Sequence, residues 1–121
     1  MISQAIQTAC VGVIPKTYFS MGDENITAPY CVHRESSTPQ YMKGVIAEYA
    51  WDAEIAIIAD DPAELESLGN SIRTAIGNLE RTTSSSTYIQ DVTYLGDSPE
   101  FDEEENLYVT VLRFQITTTN R

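Results

Sequence analysis

Apolar and polar positions follow two rhythms along this chain. From Val45 to Ala59 they alternate with period two. Val45, Ala47, Tyr49, Trp51, Ala53, Ile55 and Ile57 share one wholly apolar face. Ile46, Glu48, Ala50, Asp52, Glu54, Ala56 and Ile58 share the other, which carries three carboxylates. Successive side chains on a strand point to opposite faces, so this is a half-exposed antiparallel strand. Near its end both faces are apolar, and Ile55 to Ile58 should be covered on both sides.

From Leu65 the rhythm changes to helical spacing. Leu65, Leu68, Ile72, Ala75, Ile76 and Leu79 form one buried stripe. Three signals agree on where this helix starts. Asp61 can accept from free N–H groups of the first turn, and Pro62 suits the first helical position. Glu64 occupies the capping-box position and favours the positive dipole end. Gly77-Asn78 weakens the far end.

A first amphipathic helix is carried by Ile2, Ala5, Ile6, Ala9, Cys10 and Val13, and it is closed by Gly12 and Pro15. Thr17-Tyr18-Phe19 predicts a short strand, and Ser20 to Thr27 a loop. Pro29 opens a strand from Tyr30 to about Ser36. Ser36 to Gly44, with Pro39 and Gly44, reads as a second loop. Arg81 to Thr87 is a polar run read as loop. Tyr88 to Leu95 and Leu107 to Thr119 read as strands of a long hairpin. The segment between them, Gly96 to Asn106, reads as an exposed connection.

The order is helix, three strands, helix, two strands. Strands come in adjacent groups with helices set apart, which is the α+β pattern. The expected architecture is a mainly antiparallel sheet of four to five strands with both helices packed on one face. At 121 residues the chain is expected to be one domain, 1–121.

Charge narrows the partners. Eighteen acidic and seven basic residues give a formal net charge of −11. Such a surface repels phosphates, so tight DNA binding is not expected. It suits solubility, or a surface that DNA passes without sticking, which needs a pore that one chain of this size cannot make. The N-terminus lacks a basic region ahead of an apolar run, and no apolar run nears the roughly 20 residues that span a bilayer. Assembly in a cytoplasm is expected, with Cys10 and Cys31 as buried reduced thiols.

Chemistry is sparse. His33 is the sole histidine, and no partners stand at motif-like spacing for a triad or a zinc site. Clustered carboxylates at Asp97, Glu100 and Asp102 to Glu105 lack the alternate ligands and turn glycine of a calcium loop. Phosphate loops, paired CxxC motifs and GxSxG elbows are absent. No catalytic residue, metal or cofactor is therefore expected. Tyr18, Phe19, Met21, Tyr41, Met42 and Phe101 are candidates for a subunit or partner interface. Phe101 stands out, because a large apolar residue in an acidic segment asks for a cover. Glu48, Asp52, Glu54, Asp102, Glu103 and Glu104 are candidates for an acidic lumen or exposed face.

The full-length pattern resembles the siphophage tail completion (tail terminator) family. The matching features are the leading helix ISQAIQTACVGVI, the aromatic segment KTYF, and Ala28-Pro29-Tyr30-Cys31-Val32 at a strand start. The strand AEYAWDAEIAII follows, then the Asp/Glu-started helix with Leu65, Leu68, Ile72 and Ile76, and finally LYVTVLRFQI. The resemblance implies a ring subunit, often sixfold, that caps the tail tube, joins it to the head and leaves a passage for DNA. It implies as partners further copies of the chain, tail tube protein and head–tail connector proteins, with DNA only as passing cargo and no membrane. It implies a place in the tail or neck of a virion assembled in a bacterial host. The acidic run from Gly96 to Asn106 is long for that family. A head-completion or head–tail adaptor protein is the alternative within the same class. A small-molecule module on a ferredoxin-like sheet, its pocket lined by Trp51, Tyr49 and His33, is the alternative from another.

Overall fold

The structure is a computed structural model that describes residues 2–19, 27–42, 45–84, 86–104 and 106–120. For residues 40–42, 45–47 and 120 it describes the backbone alone. The elements run α1 (Ile2–Val11), β1 (Thr17–Phe19), β2 (Tyr30–Met42), β3 (Val45–Ala59), α2 (Pro62–Gly77), β4 (Thr82–Ser84), β5 (Thr87–Asp102) and β6 (Leu107–Asn120). All six strands join one sheet in the order β1-β2-β3-β6-β5-β4. The β1–β2 pair is parallel and the other pairs are antiparallel. The fold is α+β, with one strand more than the sequence predicts.

The apolar face of β3 is the core face. Ala53, Ile55 and Ile57 pack with Leu112, Phe114 and Ile116 of β6 and Ile89 of β5. Ile2, Ile6 and Cys10 of α1 and Leu65, Ile72 and Ile76 of α2 close the same cluster. Both helices thus lie on one side of the sheet. The other side is open. There Ile58 is buried and Ala56 half-buried, so the covering expected on both faces is complete only at Ile58.

Local chemistry accounts for the joints. Asp61 caps α2 by accepting from the Ala63 N–H at 3.0 Å, with Pro62 at the first position. Glu64 Oε1 is buried with no hydrogen-bond partner among the described residues. Gly96 sits at φ +117 where the β5 register slips, a conformation L side chains rarely adopt. The slip leaves Leu95 out of the ladder and 56% exposed.

Two segments read as loops are strands. β2 continues from Ser36 to Met42, pairing with β3 through Met42↔Val45. β5 continues through the acidic segment to Asp102↔Leu107. Pro39 and Pro99 argued for loops because proline cannot donate to a ladder. Among the described residues, both stand where the strand has a neighbour on one side only, since β1 covers β2 at residues 31–33 and β4 covers β5 at residues 87–89. Part of the third loop, Arg81 to Thr87, is β4.

Candidate functional site

The open face is built by the outward rows of β2, β3, β6 and β5. Glu48, Asp52 and Glu54 all stand on it, as their alternation requires. Register aligns Arg34, Glu54 and Arg113 in one row across three strands. Arg34 Nη2 reaches Glu54 Oε2 at 3.0 Å, and Arg113 Nε lies 3.8 Å from Oε1. Arg113 Nη1 also donates to Ser98 Oγ at 2.9 Å. These exposed pairs stabilise little, but they compensate the charge of Glu54. Glu48 and Asp52 lie beside Gln40 and beside Ser36 and Gln115, so their row stays acidic.

Asp102, Glu103 and Glu104 sit at the tip of the β5–β6 hairpin. Asp102 Oδ1 accepts from the Glu104 N–H at 3.0 Å, and Asn106 takes the left-handed conformation that turns the chain. The tip and the open-face row are therefore separate acidic surfaces. Among the described residues, no group of three or more His, Cys, Asp or Glu is placed to hold a metal ion.

On the helix side, an open trough of about 600 Å³ runs between α2 and the β5–β6 hairpin. Phe101 is 45% exposed there, its ring 4.8 Å from that of Tyr108. At the opposite end of the sheet, Phe19 is 51% exposed on β1, next to half-buried Tyr18. The interface candidates thus fall on both flanks of the sheet. Tyr41 and Met42 pair with Ile46 and Val45 near the β2–β3 turn. Met21 lies outside the described residues, as do the side chains of Tyr41 and Met42.

A buried polar chain that the spacing of residues had not disclosed joins α1 to β2. His33 and the Glu35 carboxylate are fully shielded from water. His33 Nδ1 lies 2.5 Å from Glu35 Oε1, and Nε2 lies 2.6 Å from Gln7 Oε1. Ser3 Oγ donates to Glu35 Oε2 at 2.9 Å, and Gln7 Nε2 donates to the Thr17 carbonyl at 2.9 Å. A carbonyl only accepts, so the Gln7 amide nitrogen must face Thr17 and its oxygen must face His33. With that orientation Nε2 is the donor to Gln7. Phe19 closes the site edge-on, its ring 5.4 Å from the imidazole.

This set of hydrogen bonds ties α1 to β2 and to the start of β1. His33 is 1% exposed, and its two ring nitrogens are taken by Glu35 and Gln7. Trp51, which donates to Thr118 Oγ1 at 2.9 Å, stands four residues along β3 from the Ile55 partner of His33. Trp51, Tyr49 and His33 therefore frame no common pocket. His33 also stands on the core face, opposite Glu48 and Asp52. The cue in the sequence was faint: Ser3 and Gln7 are four apart on α1, and His33 and Glu35 are two apart on β2.

Two further groups are tuned by their surroundings. A hydrogen bond with Cys31, then burial, push the Cys10 thiol far above its usual range. Both cysteines are buried and free. Since the thiolate is the reactive form, the folded protein is expected to resist a thiol reagent at about pH 8. Both thiols should react once guanidinium unfolds it, and titration of the released chromophore checks this. Burial, followed by the Asp97 carboxylate, raises the Tyr94 phenol above its usual range. The Arg73 guanidinium, 4.1 Å over the Tyr94 ring, acts in the opposite direction.

No protein-family model matches this chain, and no curated protein matches it in sequence. Its fold is similar to that of a chain from the virion of a native gene transfer agent (GTA) particle. The TM-score is 0.80 over 98% of this chain and 95% of that one, at 12% identity. At that identity the likeness is one of fold.

Proposed function

We propose that this chain is a structural subunit of a phage-like particle that caps the tail tube and joins it to the head as a ring. The carrying observation is the fold shared along almost the whole length with a chain of an assembled virion. The site geometry supports it, because His33 and Glu35 are engaged in contacts between α1 and β2, while Glu48, Asp52 and Asp102 to Glu104 lie on open surfaces.

A ring needs one patch on each subunit to fit a different patch on the next. The sheet offers such a pair. Among the described residues, the outer edge of β2, away from β3, has no paired strand from Arg34 to Met42, and the outer edge of β5, away from β6, has none from Gln90 to Phe101. These free edges lie toward opposite sides of the sheet. Strand addition between them, copy to copy, would close a ring and satisfy the exposed backbone groups. The open face would then line the passage, with Glu48 and Asp52 repelling DNA phosphates.

Native mass spectrometry of the protein, alone and with its tail tube protein, tests the reading. A closed oligomer, free or tube-induced, is the expected result. A strict monomer that ignores tube protein would count against it. Electron microscopy of particles lacking the protein should show tails of uncontrolled length. Filled heads without tails would instead assign it to head completion.

A further inference from the structure

The trough between α2 and the β5–β6 hairpin has an apolar floor and a rim of one sign. Leu65, Phe101 and Tyr108 line it, with Pro62 and Pro99 at its mouth. Glu66, Asp97 and Glu100 stand exposed around it, and among the described residues no lysine or arginine lines it. Its volume suits a short stretch of side chains, and its open form suits a chain laid across it. Phe101 lies in it as a large exposed ring.

Charge decides between occupants. A second copy would have to bring cations to the rim, yet four of the chain's described cations are already engaged. Arg34 and Arg113 face Glu54, and Arg73 lies over Tyr94. Lys16 Nζ donates to the Thr27 carbonyl at 2.7 Å. A chain of net charge −11 is a poor complement to an acidic rim. We infer that the trough is a docking site for a different protein, through a short segment with one or two large apolar anchors flanked by Lys or Arg. This goes beyond the ring reading, since it concerns the helix side of the subunit and a contact with an unlike chain.

The probe is a fluorescein-labelled hexapeptide amide, Lys-Arg-Leu-Phe-Lys-Arg, read by anisotropy in about 0.15 M salt, where loose charge attraction is screened. Its control has Ser-Ser in place of Leu-Phe. The anchor peptide should bind roughly tenfold more tightly than the control, the share expected of two partly buried side chains. Gly69→Leu should block the trough. A Cβ at Gly69 meets only Thr110 Cγ2, at 4.0 Å, so the fold should tolerate the change. Gly69→Leu and Phe101→Ser should each weaken the anchor peptide about fivefold or more, while Glu48→Gln on the open face leaves it unchanged.

Equal binding of the two peptides, or binding untouched by Gly69→Leu, would overturn the inference. So would a Phe101→Ser variant that takes no peptide differently but loses an oligomer seen for the natural chain, because the occupant would then be a second copy. Peptide binding by a strictly monomeric protein would support the docking site while the ring reading fails, so the two results separate.

Discussion

Glu35→Ala should destabilise the fold by about 2–5 kcal/mol, because it leaves two buried hydrogen-bonding groups without a partner, each costing roughly 1–3 kcal/mol or more. The carboxylate holds two partners at once, His33 Nδ1 and the Ser3 hydroxyl. Alanine would leave both in a space closed to water, where an unmade hydrogen bond carries its full desolvation cost. Because Ser3 lies on α1 and His33 on β2, the loss should loosen the helix from the sheet. Glu35→Gln is the informative contrast. Its amide can donate to Nδ1 and accept from Ser3, so the hydrogen bonds stay complete and its cost should stay at about 1 kcal/mol. Urea unfolding measures both. Equal, small losses for the two variants would mean that the chain adds nothing beyond packing.

Phe114→Ala should cost a similar amount, about 3–5 kcal/mol, by a different route. Phe114 is 1% exposed and stands between Ala53 and Tyr94 in the register. Its ring centre lies 5.3 Å from that of Tyr94. The sheet cannot collapse into the space left behind, because β6 is bonded on both sides along its length. Against a total stability of about 5–15 kcal/mol, the variant should melt on the order of 10–20 °C lower. Phe101→Ala makes the control, since a half-exposed ring leaves no sealed cavity and its loss should shift the urea midpoint little. A Phe114 variant as stable as the Phe101 variant would contradict the placement of the core.

Much of this architecture was legible in the chain. The period-two face of β3 and the capped stripe of α2 name their own element, ends and buried side, because local geometry alone makes side chains recur at those spacings. Misreadings clustered where proline and carboxylates speak for loops. Ser36 to Met42 and Gly96 to Asp102 are strands because long partners, β3 and β6, offer a ladder to pair with. Local propensity yields when pairing and the Phe101–Tyr108 contact outweigh it.

The interface candidates on β1 and on the hairpin were visible as exposed aromatic residues in polar surroundings. Their position on opposite flanks of one sheet was not. His33 looked solitary in the sequence because its partners are close only after folding, Gln7 being 26 residues away. The same holds for the row Arg34, Glu54 and Arg113, which draws on three strands.

Periodicity and composition thus settled the class of fold, the buried face of each long element and the acidic surface, since each depends on neighbours along the chain. Strand order, the length of β2 and β5, the α1–β2 polar chain and the acidic-rimmed trough came only with the folded arrangement. Each of them is a relation between residues far apart in the chain, and no local pattern encodes a distance that closes only on folding.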